Sequence, residues 1–138
     1  MELPADVEAV WADIERLETH VEWMADAESI EFVGDQRRGV GVVMRVATRV
    51  GPLRTTDVIR VTSWDPMRSI GVSHEGLVSG SGEFRLEPNE GGSRFVWEER
   101  LLFPWYFAGS VGAAVAAPVL RAVWRRNLRR LAERFASA

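Results

Sequence analysis

The stretch VVMRVATRVGPLRTTDVIRVTS, residues 42–63, decides the fold. Val42, Met44, Val46 and Thr48 alternate with Val43, Arg45, Ala47 and Arg49. That is the two-residue period of a strand with one face covered. Gly51-Pro52 breaks the run. Alternation then resumes, with Leu53, Thr55, Asp57, Ile59 and Val61 set against Arg54, Thr56, Val58, Arg60 and Thr62. Strands joined by so short a break run antiparallel, because a parallel pair needs a crossover of a dozen or more residues.

The same reading extends in both directions. Ser29–Val33 is a short strand, Gly34–Gly39 a charged turn, and the strand that opens the quoted stretch spans Val40–Val50. The next strand spans Leu53–Ser63 and ends before the turn signal Asp65-Pro66. Arg68–His74 is a further strand. Gly76 interrupts, and Val78–Glu87 follows, with Val78, Gly80, Gly82, Phe84 and Leu86 on one face. Pro88–Gly92 is a hairpin turn. Ser93–Leu102 is the last strand, with Phe95, Trp97, Glu99 and Leu101 on one face. Six strands with no helix between them make an antiparallel sheet, and their alternation requires one face to be covered.

The C-terminal segment is the element long enough to cover it. Leu101–Leu120 carries no charge over twenty residues, the length of a bilayer span. Pro104, Gly109, Gly112 and Pro118 and a high content of small residues argue against an integral span. The expectation is a loop at Phe103-Pro104 and then a helix over the sheet. Small residues face a cavity, and Pro118 kinks or restarts the helix. Leu120, Trp124, Leu128, Leu131 and Phe135 continue it as an apolar stripe. At the other end Pro4 suits the first turn of a helix. Val7, Val10, Trp11 and Ile14 mark that helix to about Leu17, and a second short helix or turn carries His20, Val21, Trp23 and Met24.

With 138 residues and 46% apolar side chains, the chain makes a single α+β domain spanning 1–138. The absence of cysteine excludes disulfides, thiol nucleophiles and thiolate metal sites. No signal peptide is visible, so the expected compartment is cytoplasmic. No nucleophile elbow, phosphate loop or dinucleotide glycine fingerprint is present. Phosphoryl transfer and nicotinamide chemistry are therefore not expected, and no cofactor is called for. His20 and His74 stand far apart without a paired acidic motif, which gives no metal site.

The net charge of −3 hides an asymmetry. Residues 1–35 hold eleven acids and one base, Arg16, whereas residues 121–134 hold six arginines and one acid, Glu133. Such a basic patch suits RNA or a membrane surface. The plainer reading is that the two ends of the chain meet and neutralise each other. DNA is not an expected partner.

Several pieces together resemble the SRPBCC superfamily, which takes in START-related lipid-transfer domains, birch-pollen-allergen-like proteins and bacterial polyketide cyclase/dehydrase-like proteins. They are Pro4-Ala5-Asp6-Val7-Glu8-Ala9-Val10-Trp11, His20-Val21-Glu22-Trp23-Met24, Arg38-Gly39-Val40-Gly41, Trp64-Asp65-Pro66, Gly80-Ser81-Gly82-Glu83-Phe84 and Gly91-Gly92-Ser93-Arg94-Phe95-Val96-Trp97. The resemblance implies a helix-grip fold: a curved antiparallel sheet around a long C-terminal helix, propped by two short N-terminal helices. Members usually begin with a strand before the first helix, and here only Met1-Glu2-Leu3 is available for it.

Alternation puts Met44, Val46, Thr55, Asp57, Ile59, Val72, His74, Phe84, Phe95, Trp97 and Glu99 on the cavity side. The helix region adds Trp105, Gly112, Val115, Ala116 and Val119. Gly80 and Gly82 remove side-chain volume there, or mark a bulge. Asp57, His74 and Glu99 are the polar inward candidates. A carboxyl group in an apolar cavity is an acid or base, and a histidine relays protons near neutral pH. The plainer alternative places all three at strand ends, solvated or paired to arginine, since a slip of one residue turns each outward. His20 reads as structural.

The first functional expectation is a carrier or binding protein for a small hydrophobic molecule, a lipid, fatty acyl chain or polyketide. The second is an enzyme of the polyketide cyclase/dehydrase type, with Asp57, His74 or Glu99 moving protons. The third is an interaction module like toxin-antitoxin or ribosome-associated relatives, using the C-terminal arginines on RNA. The scant first strand adds an expectation of its own. An open edge invites a second chain, as in a homodimer, or a native N-terminus upstream of Met1 covers it. Light scattering over a concentration series, with and without about ten residues of upstream extension, checks this. A monomer equally stable in both forms means that the short strand has no consequence.

Overall fold

The computed structural model describes residues 1–24, 26–50, 53–76, 79–102 and 109–136. The first helix, α1, is Val7–Ile14, and Asp6 rather than Pro4 sets its start. Asp6 is extended (φ −70°, ψ 167°), and its Oδ1 accepts from the Ala9 amide at 2.8 Å. That bond satisfies one of the donors a helix start leaves unpaired. Val10, Trp11 and Ile14 form the buried stripe of α1. A short 3-10 helix, Leu17–Glu22, follows it.

Seven antiparallel strands make one curved sheet: β1 (Glu2–Leu3), β2 (Ala27–Val33), β3 (Val43–Val50), β4 (Leu53–Asp65), β5 (Ser69–Glu75), β6 (Ser79–Asn89) and β7 (Gly92–Leu102). Their order is β1-β7-β6-β5-β4-β3-β2. The strand beyond the expected six is β1. It is only two residues long and pairs Glu2 and Leu3 with Arg94 and Ser93. Met1 extends the tie, its amine donating to the Phe95 carbonyl and its carbonyl accepting from the Phe95 amide, each at 2.8 Å.

The concave face follows the alternation except at two register shifts, one in β2 between Ala27 and Ser29 and one in β4. Val61 lies opposite Val72, but the register shifts before Ser63, which lies opposite Gly71. This bulge leaves Thr62 out of the pairing, so that Trp64, rather than Ser63, shares the inner face with Ile70. Trp64 then meets Trp11 edge-on at 5.4 Å between centroids. The bulge thus docks α1 on the sheet.

The long helix α2, Gly109–Ala136, runs through Pro118 as one element, so the expected restart does not occur. No helix among the described residues is long and apolar enough to cross a membrane. Asn127 and Leu131 are fully buried, and Asn127 Nδ2 donates to Asp26 at 2.6 Å. Arg134 binds Asp13 through two hydrogen bonds of 2.7 and 2.8 Å, and Arg130 donates to the Glu22 carbonyl at 2.8 Å. The acidic N-terminal elements and the basic helix therefore meet at this end. Among the described residues, the arginines that do so are Arg130 and Arg134. Arg121, Arg125, Arg126 and Arg129 are exposed and form no ion pair among the described residues.

At the same end His20 is buried between Trp23 and Phe84, with ring centroids at 5.2 and 5.6 Å. Its Nε2 lies 2.7 Å from the Ile14 carbonyl, which only accepts, so Nε2 carries the proton. Burial holds its pKa below the ordinary 6.5, outweighing the raising effects of the Ile14 bond, Asp13 and Glu18. The unfolded chain therefore takes up a proton at a pH where the folded chain does not. Stability is full above pH 6.5 and falls as acid carries the protein from there through the lowered value. Thermal melts from pH 7.5 to 5 should show this loss. His20→Gln, which keeps a donor for Ile14, should lower stability at pH 7.5 by about 1–2 kcal/mol and flatten the slope near pH 6.

Candidate functional site

The concave face is sealed at one end and open at the other. At the sealed end Val61, Ile70, Leu86 and Phe95 are at most 4% exposed, packed with Trp11, Leu17 and Trp23. Further along the same strands Asp57, Ile59, Val72, His74, Trp97 and Glu99 are only half-buried. This more open stretch of the concave face is the candidate hollow, and at its edge Trp97 meets Trp124 of α2 at 6.1 Å between ring centroids.

His74 and Glu99 meet in this hollow. His74 stands on β5 opposite Gly80, and Glu99 on β7 opposite Gly82. The two residues are therefore two strands apart, a separation of about 9.5 Å at ordinary strand spacing. Nothing rises from β6 between them, because its two inward positions there are glycine. Both side chains lean over that trench, and Nε2 of His74 comes within 2.8 Å of Glu99 Oε2. Trp97, two residues before Glu99 on the same face, donates its indole N–H to Oε1 at 2.9 Å. Each carboxylate oxygen thus has a donor, and the side chains of His74 and Glu99 are only 17% and 9% exposed. A carboxylate accepts and does not donate, so His74 Nε2 carries the proton. Nδ1 then presents its lone pair and has no partner among the described residues. This arrangement can accept a proton at Nδ1 while Glu99 steadies the resulting imidazolium.

The two glycines differ in cause. A Cβ on Gly82 would lie 2.6 Å from both Glu99 oxygens, so the space it leaves holds the carboxylate and is not part of the hollow. Gly80 has φ 143°, and a Cβ there would meet the Arg100 carbonyl at 1.9 Å, so its role is one of backbone conformation. Gly76 repeats the first device for Asp57, whose Oδ1 would lie 2.1 Å from such a Cβ. Asp57 accepts from Thr55 Oγ1 at 3.2 Å and shares the inner face with the pair.

The remaining expected wall residues divide. Ile59, Val72, Phe84 and Trp97 are half-buried beside the pair. Met44, Val46 and Phe95 are buried core, Phe95 packing on Trp23 and Phe84. Val119 is 53% exposed. Trp105 lies outside the described residues, as do the side chains of Gly112, Val115 and Ala116. His20 is structural. A shallow surface groove of about 620 Å³ beside Val7, Met67, Arg68 and Arg85 is separate from the pair, and Arg85 there is held by Glu83 and Glu98.

The sequence matches the family described as polyketide cyclase / dehydrase and lipid transport over residues 1–136. The chain belongs to this family. With it come the SRPBCC superfamily and the helix-grip fold, which the seven-stranded sheet and α2 display. Solved structures agree on the fold. Protein TTHA0849 of Thermus thermophilus is 20% identical, with a TM-score of 0.78 over 99% of this chain and 94% of its own. The di-domain aromatase/cyclase StfQ of the steffimycin biosynthetic pathway is 13% identical, with a TM-score of 0.79 over 99% of this chain and 48% of its own. The Zhui aromatase/cyclase of Streptomyces sp. R1128 is 18% identical, with a TM-score of 0.64 over 93% of this chain and 82% of its own. No functionally curated protein matches the sequence.

Within this family member, Gly82 is the residue on which the His74–Glu99 pair turns. Gly82→Ala should push the carboxylate aside at a cost of about 1 kcal/mol, the low end for an overpacking change, since the atoms met are the end of a side chain. Long-range 1H–15N spectra should show one His74 tautomer, protonated at Nε2, in the unaltered protein. In the variant they should show a mixture.

Proposed function

We propose that the hollow binds a small hydrophobic molecule bearing a carbonyl or hydroxyl group, and that His74 exchanges a proton with it. The supporting observation is the pairing of His74 with Glu99, with Nδ1 left without a partner among the described residues on a face that Ile59, Val72 and Trp97 share with Asp57. An apolar site with a few polar groups is the usual make-up of a small-molecule pocket. The family's description, covering both cyclase/dehydrase chemistry and lipid transport, admits a carrier and an enzyme alike.

The enzyme reading is favoured by the same pair. The carbon next to a carbonyl loses its proton in aldol closure and in dehydration, and both steps need a positioned base. His74 would be that base. Glu99 would be the group that holds its tautomer, and Trp97 would orient Glu99. Two aromatase/cyclases among the structural neighbours are in keeping with this reading, although their identity to this chain is below 20%.

Two measurements test the proposal in turn. Native mass spectrometry of protein from its host should show a retained lipid, acyl or polyketide-like species. A protein that arrives empty and takes up no fluorescent fatty acid defeats the binding reading. Deuterium exchange next to the carbonyl of an apolar β-diketone, followed by NMR, should be accelerated by the protein. It should fall about 10²–10⁴-fold in His74→Gln, with binding of the diketone retained. Equal exchange in both proteins leaves a carrier without proton chemistry.

A further inference from the structure

At 3.6 residues per turn, Pro118, Arg125, Arg126 and Arg129 lie on the side of α2 opposite buried Asn127 and Leu131, with Arg121 on one flank of that side and Val119 on the other. All six are exposed, and the four arginines make no ion pair among the described residues. No carboxylate lies on this face before Glu133. Arg121, Arg125 and Arg129 stand four apart, a spacing at which like charges repel and destabilise a helix. The patch thus works against the helix that carries it, whereas on the inner flank Arg134 pairs with Asp13 and Glu22 and Arg130 donates to the Glu22 backbone carbonyl.

We infer that this face docks the protein on an anionic lipid surface. The charge is complementary, and the four arginines span about 12 Å of helix, so all can reach one plane. Val119, 53% exposed, and Pro118 stand at one end of the row and supply apolar contact beside the cations. That mixture suits a helix lying in a bilayer interface. RNA fits less well. Single-stranded RNA is gripped by stacking on aromatics, and among the described residues none of the large exposed hydrophobic side chains is aromatic. The net charge of −3 adds orientation. The acidic remainder is repelled by the same surface, so the outer face of α2 is the side turned toward it. The inference does not rest on the reading of the hollow.

The test is co-sedimentation of the full chain with vesicles of phosphatidylcholine alone or with 30% phosphatidylglycerol, alongside a mixed-sequence RNA oligonucleotide. The protein should bind the anionic vesicles at least tenfold more tightly than the neutral ones and lose that preference at high salt. The variant R121Q/R125Q/R126Q/R129Q should melt no lower than the unaltered protein and bind the anionic vesicles several hundredfold more weakly, about fivefold per arginine. If the variant misfolds, the salt series on the unaltered protein decides. Equal affinity for both vesicles, full binding by the folded variant, or tighter binding to RNA than to vesicles overturns the inference.

Discussion

The aromatic seal around Trp23 is the constraint on which the rest depends. A single helix laid along a curved sheet cannot fill the sheet's whole concavity. One end must close tightly enough to hold the fold, so that the other can stay hollow. Trp23 closes it, fully buried among His20, Phe84, Phe95 and Trp97 with ring centroids 5.2–6.4 Å apart. Rings of this size bury 150–250 Å² each, roughly 4–6 kcal/mol at about 25 cal/mol per Å². The seal draws on three parts of the chain: the segment after the 3-10 helix, the strands β6 and β7, and α2 through the contact of Trp97 with Trp124. Arg134 and Asn127 fasten the far end of α2 to the same corner.

The His74–Glu99 pair grows out of that seal. Trp97 packs against Trp23 with its ring and holds Glu99 with its indole nitrogen. The position of the carboxylate is thereby fixed by the same side chain that closes the core. Beyond Trp97 the side chains on β6 vanish at Gly82 and Gly80, and the hydrogen bond from His74 crosses the space they leave. One strand with large residues at one end and none at the other divides the face into core and site.

Most of this division was readable from periodicity. Alternation placed His74, Glu99 and Trp97 on one face, and that placement survives in the pairing of β5, β6 and β7. Three things were not readable. Strand order decides that His74 and Glu99 flank one glycine strand, and sequence spacing does not report order. The bulge at Thr62 shifts the phase within β4, and nothing in Val61-Thr62-Ser63-Trp64 marks it except the misplacement of Trp64. The buried face of α2 is not legible either, because an alanine- and valine-rich helix is apolar nearly all round. Its buried face is set instead by Asn127 and Leu131, a polar residue and an apolar one four apart. Pro4 drew attention from Asp6, whose cap is the commoner start signal.

A polar pair in such a place is poorly explained by stability. Taking a carboxylate out of water costs several kcal/mol, and an ion pair or hydrogen-bonded pair in the interior often does no better than two well-packed apolar residues. Here the costs multiply. Two glycines lie in the first four residues of β6, each weakening the strand. One has a backbone conformation that other residues rarely adopt. An indole donor is committed to Glu99. Val72 and Ile59 stand directly beside the pair and show that the hollow accepts aliphatic side chains. A leucine at either polar position would relieve the desolvation and fill space. The arrangement keeps an imidazole nitrogen, without a partner among the described residues, where apolar packing is often the more stable choice. Under the proposed function, that nitrogen is the group that meets the bound molecule.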